Sequence, residues 1–313
     1  MSALVEVILP VFLVIAAGYV TVWRRLFTGQ VMDALMSFTQ SFAIPVLLFR
    51  AISRLDLAAS YDPALLISFY TGSAAGFTVG LLGARYLFKR PWTDSVAIGF
   101  GGLFSNLLLL GLPITERAYG AEALGPNFVL ISLHAPFCYT IGVTAMEFAK
   151  AEGVGLGQTL MSVMRSMARN PLVIGIVAGF AVNLSGLTVP GVVNDAVDLL
   201  AGAALPAALF GLGGVLVRYR PEGDMKIVAL IAATSLILHP TITFTLGNLL
   251  SLSTGQMRSA VLSASMAPGV NTYVFANMYG VGKRVAATLV LVATGLSILS
   301  IWVWLAILDY TTG

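Results

Sequence analysis

Two stretches decide the fold, GGLFSNLLLLGLPI at residues 101–114 and SASMAPGVNTY at residues 263–273. Each places glycine, proline and asparagine inside an otherwise apolar run. Proline removes a backbone hydrogen-bond donor, and glycine admits unusual backbone dihedral angles. A helix broken at mid-membrane is tolerated only where it is buried in protein or lines a wet cavity. The two stretches therefore predict two interrupted helices inside a membrane bundle.

The composition requires a membrane setting. Hydrophobic residues make up 58% of the 313-residue chain, charged residues make up 10%, and the mean hydropathy is +0.92. Soluble domains carry roughly 25% charged residues. Long unbroken apolar runs favour helices over the alternating strands of a barrel. The single cysteine, Cys138, excludes an internal disulfide and any multi-cysteine metal site. We expect an all-α integral membrane protein that is not an enzyme and has no catalytic residue, resident metal, cofactor or nucleic-acid partner.

Ten hydrophobic stretches predict ten transmembrane helices, of which spans 4 and 9 are the broken ones. A spanning helix needs roughly 20 mostly apolar residues, so the loops must be short. The predicted spans lie near residues 4–22, 31–52, 64–88, 94–114, 126–148, 171–188, 196–217, 226–250, 257–279 and 285–308.

The basic residues predict the orientation. Thirteen of the 17 follow odd-numbered spans, and the other four are Arg50, Arg54, Arg117 and Arg258. Because basic loops are retained in the cytoplasm, both termini are expected outside.

The two halves resemble each other. IPVLLF at 44–49 matches LPAALF at 205–210 with an offset of 161, and the Tyr-Gly pair at 119–120 recurs at 279–280 with an offset of 160. A linker, 152–170, separates five spans from five. This pattern predicts two five-helix repeats, residues 1–150 and 151–313. An odd number of spans inverts the second repeat, a recurring design in secondary transporters. Chance similarity between apolar segments is the alternative.

The interruptions offer chemistry for an anion. New helix N-termini at mid-membrane carry free N–H groups and a positive dipole end. Asn106 and Asn271 supply amide donors, and Ser105, Ser265 and Thr272 supply hydroxyls. Pro268 and Gly269 form the second interruption. The alternative is a pair of ordinary kinks with small residues for helix packing.

Charged groups at mid-membrane are missing from the sequence. All 14 acidic residues fall in loops or near span ends, which leaves His134 and His239 as the intramembrane ionisable groups. His134 is a candidate substrate contact, although a histidine hydrogen-bonded between helices is an equally good interpretation. Sodium coupling stays open because carbonyl and amide oxygens bind sodium. The chain shows no phosphate-binding loop of a nucleotide-driven pump and no selectivity filter.

With these residues, the sequence resembles the auxin efflux carrier family, which includes bacterial malonate-transporter-like members and plant auxin exporters. The resemblance covers the full chain. It depends most on NLLLLGLP at 106–113, the Tyr-Gly pair at 119–120, and YVFANMY at 273–279.

The resemblance implies a fold related to the bile acid sodium symporters. Spans 1, 2, 6 and 7 form a scaffold that often mediates dimerisation, and spans 3–5 and 8–10 form a moving transport domain. The broken helices cross, and substrate binds beside the crossover in an elevator-type mechanism.

At individual positions the sequence matches the family pattern in the first crossover and departs from it in the second. Asn106 takes the position of an asparagine that contacts the substrate carboxylate, five residues before Gly111, and Pro113 follows that glycine by two. The second crossover departs from the plant pattern, because Thr272 replaces a proline directly before the aromatic Tyr273. Pro268 lies four residues earlier.

The sequence thus predicts a carrier that moves a small organic anion, with the carboxylate at Asn106 and Asn271 and the organic body against side chains such as Tyr273. Sodium-coupled symport of the bile acid carrier type is the first alternative, and a channel or sensor is the second. Substrate identity, direction of transport, ion coupling and oligomeric state stay open.

Overall fold

The computed structural model describes residues 4–150 and 167–312, together with Gly157, Met161, Met164 and Arg165. Within this part of the chain all regular secondary structure is helical and no strand forms, which confirms the predicted all-α class. In chain order the main helices are α1 (Leu4–Trp23), α2 (Gly29–Ser53), α3 (Pro63–Leu87), α4 (Trp92–Leu103), α5 (Leu112–Tyr119), α6 (Gly125–Ala149), α7 (Pro171–Ser185), α8 (Gly191–Leu216), α9 (Met225–Leu249), α10 (Thr254–Ala264), α11 (Asn271–Tyr279) and α12 (Lys283–Thr312).

Seven of these helices are long and apolar enough to cross a membrane: α1, α2, α3, α6, α8, α9 and α12. Helix α7 is apolar but has only 15 residues. The two stretches that the sequence marks as interrupted are the pairs α4–α5 and α10–α11. The ten-span count, the inverted repeat and the crossing of spans 4 and 9 stay predictions. Most of the linker predicted at 152–170 lies outside the described residues.

Several helices contain one wider, π-helical turn, a feature often found near functional sites. These turns are Leu4–Ile8, Thr39–Ala43, Gly83–Leu87, Leu107–Gly111 and Thr234–Leu238. The π-helical turn Leu107–Gly111 lies between α4 and α5 and is the first helical segment after the first interruption. Two short elements complete the chain, a helical turn at Leu57–Ser60 and a 3₁₀ turn at Ala121–Leu124.

The helices pack as two compact units. The four-helix unit comprises Leu9–Tyr61 and Met164–Arg218 and so contains most of α1 together with α2, α7 and α8. Glycines allow its backbones to approach closely, since a Cβ on Gly18 would overlap the carbonyl oxygen of Phe210. Arg50 and Arg54 both pair with Asp198 at 3.3 Å, which ties α2 to α8.

The second unit, called here the site unit, comprises Met1–Ile8, Asp62–Val163 and Tyr219–Gly313 and contains both interrupted stretches. Glycines again set its packing. A Cβ on Gly102 of α4 would lie 2.5 Å from the carbonyl oxygen of Gly76 on α3. The glycines before the first interruption therefore serve close helix packing.

Candidate functional site

The two interruptions meet through main-chain hydrogen bonds. Ser105 and Pro268 face each other in an isolated antiparallel bridge. The N–H of Asn106 donates to the carbonyl of Ala267 at 2.8 Å, and the N–H of Gly269 donates to the carbonyl of Phe104 at 3.0 Å. The structure thus brings together, within the site unit, the two stretches that the sequence marks as broken.

Local chemistry explains why the chain can leave helical structure here. In the bridge the residues beside Pro268 make the hydrogen bonds, so the missing proline N–H costs nothing. The last carbonyls of a helix need partners from elsewhere. The Leu103 carbonyl accepts from the Ser73 hydroxyl at 2.7 Å, and the Gly101 carbonyl accepts from the Ser235 hydroxyl at 3.2 Å. Side chains of α3 and α9 therefore cap the end of α4.

Asn106 caps the segment that follows the first interruption. Its side-chain oxygen accepts from the N–H of Leu109 at 3.3 Å, which satisfies one free donor at that helix start. The side chain is nearly buried. Its amide nitrogen forms no hydrogen bond with the residues that the structure describes, so it keeps two N–H donors for a ligand.

Two buried hydroxyls at the interruptions lack partners. Ser105 is 4% exposed and Thr272 is fully buried, and neither hydroxyl oxygen has a hydrogen-bond partner in the described part of the chain. A buried hydroxyl without a partner costs roughly 1–3 kcal/mol. The methyl group of Thr272 faces α4, because a Cβ on Gly101 would come within 3.3 Å of it. Each hydroxyl is therefore free to form a hydrogen bond with a ligand or with an ordered water.

The second interruption lacks the side-chain cap of the first. Helix α11 begins after Val270, which makes no side-chain capping bond. Asn271 is half-buried, and its amide makes no hydrogen bond with a described residue. Tyr273 packs on Tyr219 with ring centroids 5.1 Å apart. Gly269 does not adopt a positive φ, and a Cβ there would meet nothing closer than 3.5 Å.

Gly111 and Pro113 lie in buried positions beyond the first interruption. A Cβ on Gly111 would approach Met266 at 3.6 Å and the Ser263 hydroxyl at 3.8 Å. Pro113 occupies the first turn of α5, where a proline is compatible with the helix. These two residues shape the segment and bring no side-chain donor to it.

His134 lies against the first interruption. Its ring packs edge-on to Phe104 with centroids 4.7 Å apart, and both ring nitrogens lie 3.8 Å from the sulfur of Cys138. His239 makes a different contact, since its Nε2 lies 3.1 Å from the carbonyl oxygen of Phe69. The interpretation of a histidine bonded between helices therefore fits His239.

An aromatic cluster covers one side of the interruptions. Phe100 of α4 stacks on Phe275 of α11, with centroids 4.0 Å apart and planes 5° from parallel. Tyr139 of α6 packs against Phe100 at 5.6 Å and against Phe104 at 6.0 Å. The interruptions thus carry polar groups beside an apolar wall, an arrangement common in small-molecule sites.

The sequence did not single out a second polar cluster. The amide nitrogen of Asn127 donates to the Thr115 hydroxyl at 3.3 Å and to the Ser263 hydroxyl at 3.0 Å. All three side chains are fully buried, and the Asn127 side-chain oxygen has no partner among the described residues. An asparagine at the start of a span looks like an interfacial residue in sequence, so only the packing reveals this cluster.

The site has no charged side chain of its own. The buried polar residues that the structure describes are serine, threonine, asparagine and histidine, without Asp, Glu, Lys or Arg. No group of three or more His, Cys, Asp or Glu side chains in the described ranges is placed to hold a metal ion. Any anion bound here must therefore be stabilised by neutral donors and helix ends.

Known proteins resemble this chain along nearly its whole length. Residues 3–305 match the family described as "Membrane transport protein". A "Putative malonate transporter" of Rhizobium meliloti (strain 1021) is 26% identical over 312 residues, which cover 96% of this chain and 94% of the relative. "Auxin efflux carrier component 5" of Arabidopsis thaliana is 21% identical over 328 residues, which cover 92% of this chain and 91% of the relative.

An archaeal relative matches over a similar length. It is an "Uncharacterized transporter" of Methanothermobacter thermautotrophicus, 23% identical over 309 residues, with 97% of this chain and 98% of the relative covered. These matches confirm the resemblance drawn from the interrupted stretches. Together with the long apolar helices they identify a multi-pass protein of the lipid bilayer, and the chain belongs to the membrane transport protein family that includes these carriers.

Proposed function

We propose that the protein is a secondary carrier that moves a small organic anion across the cytoplasmic membrane. The substrate carboxylate binds beside the paired interruptions, and the names of the relatives favour a malonate-like or auxin-like acid. The observation that carries the proposal is the main-chain bridge between Ser105 and Pro268. It joins the two interruptions, and each of them carries an asparagine side-chain amide nitrogen without a partner in the described residues.

Neutral donors suit an anion that must be released again. The free amide hydrogens of Asn106 and Asn271, with the Ser105 hydroxyl, supply hydrogen bonds that a carboxylate accepts strongly. Helix α11 adds the positive end of its dipole, since no side chain caps its start. A fixed cation in this buried position would bind the anion more tightly and slow its release. The aromatic wall of Phe104 and Tyr139 faces the organic part of the substrate.

The larger arrangement follows the family resemblance. Helices of the four-helix unit serve as the scaffold and as the interface of a homodimer, and the site unit is the moving part of an elevator-type mechanism. The division of the described residues into two units supports this assignment. The one-sided distribution of basic residues supports a cytoplasmic-membrane orientation with both termini in the periplasm.

A thermal-shift screen tests the proposal first. Purified protein is heated with monocarboxylates, dicarboxylates and indole acids, with and without sodium. A ligand present at 100 times its Kd stabilises the folded state by about 2.7 kcal/mol. If no carboxylate raises the melting temperature or enters protein-loaded liposomes, the proposal is wrong.

The variant Asn106→Ser then tests the site. Serine caps a helix about as well as asparagine, so folding should be preserved. Serine has no amide nitrogen to donate to the substrate while its hydroxyl caps the helix. The Kd of the carboxylate should therefore rise at least about tenfold, as for one lost hydrogen bond to a charged group. An unchanged Kd would remove Asn106 from the site. Asn248→Ser, at an exposed residue of α9, serves as the matched control.

Sodium-coupled symport is the second candidate, supported by the Asn127 cluster. A side-chain oxygen without a partner beside two hydroxyls provides ligand types that sodium accepts. In this case carboxylate binding should require sodium in wild-type protein, and Asn127→Ala should lose the sodium dependence. Carboxylate binding that is equal in sodium and in potassium would exclude it. Saturable counterflow in liposomes would exclude the remaining alternative, a channel or sensor.

A further inference from the structure

A charged cleft of about 300 Å³ opens on the site unit, at the end of α4 away from the interruption. Its walls come from the loop before α4, the start of α4, the loop before α9 and the start of α12. The basic-residue pattern places these loops on the cytoplasmic side. A cleft of this size is at the lower end of small-molecule pockets.

The acidic residues of the cleft already have structural roles. Asp224 caps α9 by accepting from the N–H of Lys226 at 3.1 Å and pairs with Arg90 at 3.4 Å. Asp94 lies in the first turn of α4, where a negative charge favours the helix. Glu222 lies 3.9 Å from Arg220.

Two cations of the cleft have no such role. Lys283 and Arg284 line the cleft, and neither forms an ion pair or a side-chain hydrogen bond with a residue in the described ranges. Both are exposed and both lie in the first turn of α12, where positive charge opposes the helix dipole. Their position therefore lowers rather than raises the stability of α12, so helix stability does not explain them, and the cleft offers a role in addition to the orientation that basic loops set.

The wall beside these cations is rigidly built. The N–H of Gly223 donates to the hydroxyl of Thr288 at 2.9 Å, and that hydroxyl donates to the carbonyl of Arg220 at 3.1 Å. Thr288 is fully buried, and a Cβ on Gly223 would lie 3.0 Å from the carbonyl oxygen of Arg284. These contacts hold the loop before α9 against the start of α12, where the two cations lie.

Helix α4 joins the cleft to the candidate site. Asp94 and Ile98 of α4 line the cleft, and the same helix ends at Leu103, directly before the interruption. Leu103 follows Asp94 by nine residues of helix, a rise of about 14 Å. An anion held at the cleft is therefore about one short helix away from the paired interruptions.

We propose that this cleft is the cytoplasmic capture site of the carrier, where Lys283 and Arg284 hold the carboxylate of the transported anion before it reaches the interruptions. The proposal rests on the proposed function. Three basic and three acidic side chains line the cleft, so the attraction is local to the edge formed by Lys283 and Arg284. There the unpaired cations raise the local concentration of an anion and its rate of association, and salt screens this effect. The cleft acts on one side of the membrane only.

The experiment compares transport in inside-out and right-side-out membrane vesicles. Radiolabelled malonate is the first probe, followed by whichever carboxylate gives the largest shift in the thermal screen. The variant is Lys283→Gln with Arg284→Gln. The control is Arg24→Gln with Arg25→Gln, which removes two cations from the same predicted side at residues that do not line this cleft.

We expect the cleft variant to raise the KM on the cytoplasmic side about three- to tenfold at low salt, as for two exposed charge contacts. The difference from wild type should vanish near 1 M salt, where the screening length is about 3 Å. The KM on the outer side and the melting temperature should not change, and the control should match wild type on both sides.

Three results would overturn the inference. These are an unchanged cytoplasmic KM, a rise that salt does not remove, or an equal rise in the control. The variant Asn106→Ser separates this failure from failure of the proposed function. If Asn106→Ser still weakens transport while the cleft variant behaves as wild type, only the capture site is wrong. If wild-type protein carries no carboxylate, both are wrong.

Discussion

The two interruptions look alike in sequence but differ in how they are built. Each combines glycine and proline with an asparagine. In the structure Asn106 uses its side-chain oxygen to cap the segment after the first interruption, whereas Asn271 makes no side-chain hydrogen bond in the described part of the chain. The first asparagine therefore has a structural role and a free donor, and the second has only the free amide.

The surroundings of the two interruptions differ as well. Before the first, Gly102 lies in tight contact with the backbone of α3. In the second, a Cβ on Gly269 would make only ordinary van der Waals contacts, at 3.5 Å from Phe104 and 3.7 Å from Asn106, and the backbone conformation is ordinary. The bridge holds both interruptions, but only the first has a glycine in tight contact with a neighbouring helix backbone. Substitutions at matched positions should expose this difference.

The largest difference is expected between Gly102→Ala and Gly269→Ala. The new Cβ at residue 102 would lie 2.5 Å from the carbonyl oxygen of Gly76, so α3 and α4 must move apart. We expect the free energy of unfolding to fall by about 1–3 kcal/mol, as in other overpacked positions. Gly269→Ala should change it by less than about 0.5 kcal/mol. Melting temperatures in one detergent provide the comparison.

A stable Gly102→Ala protein would mean that α3 and α4 are not in close contact at this point. Gly76→Ala offers an independent check, because its Cβ would overlap the carbonyl oxygen of Gly102. The double variant should cost less than the sum of the two single variants, since both relieve the same contact by separating the helices.

The next difference is expected between Asn106→Ala and Asn271→Ala. Loss of an N-cap typically costs about 1 kcal/mol, so Asn106→Ala should lower the free energy of unfolding by that amount. Asn271→Ala should leave it within about 0.5 kcal/mol, because no capping bond is lost. Chemical denaturation with a tryptophan fluorescence readout measures both. Equal losses would show that the two interruptions are built alike.

The sequence predicted the interruptions well because they depend on local chemistry. In this chain glycine, proline and asparagine close together inside an apolar run coincide with both interruptions, although prolines also lie inside the continuous helices α6 and α8. The partners of these residues depend on tertiary packing instead. The pairing of Ser105 with Pro268, the caps from Ser73 and Ser235, and the Asn127 cluster all join residues far apart in the chain. For the same reason the sequence did not show that Asn106 caps a helical segment while Asn271 makes no capping bond.

The smallest effects on stability are expected for Ser105→Ala and Thr272→Val. The two variants should differ in their affinity for the carboxylate. Each removes a buried hydroxyl that has no partner in the described part of the chain, so stability should stay equal or rise by up to about 1 kcal/mol. Ser105 lies in the bridge itself, whereas the methyl group of Thr272 is turned toward α4. Ser105→Ala should therefore weaken carboxylate binding about threefold or more, the value of one ordinary hydrogen bond, and Thr272→Val should weaken it less. Titration of the carboxylate against both variants measures the difference. A clear loss of stability in either variant would instead mean that its hydroxyl holds an ordered water in the resting protein, and the two interruptions would then differ in hydration rather than in substrate contact.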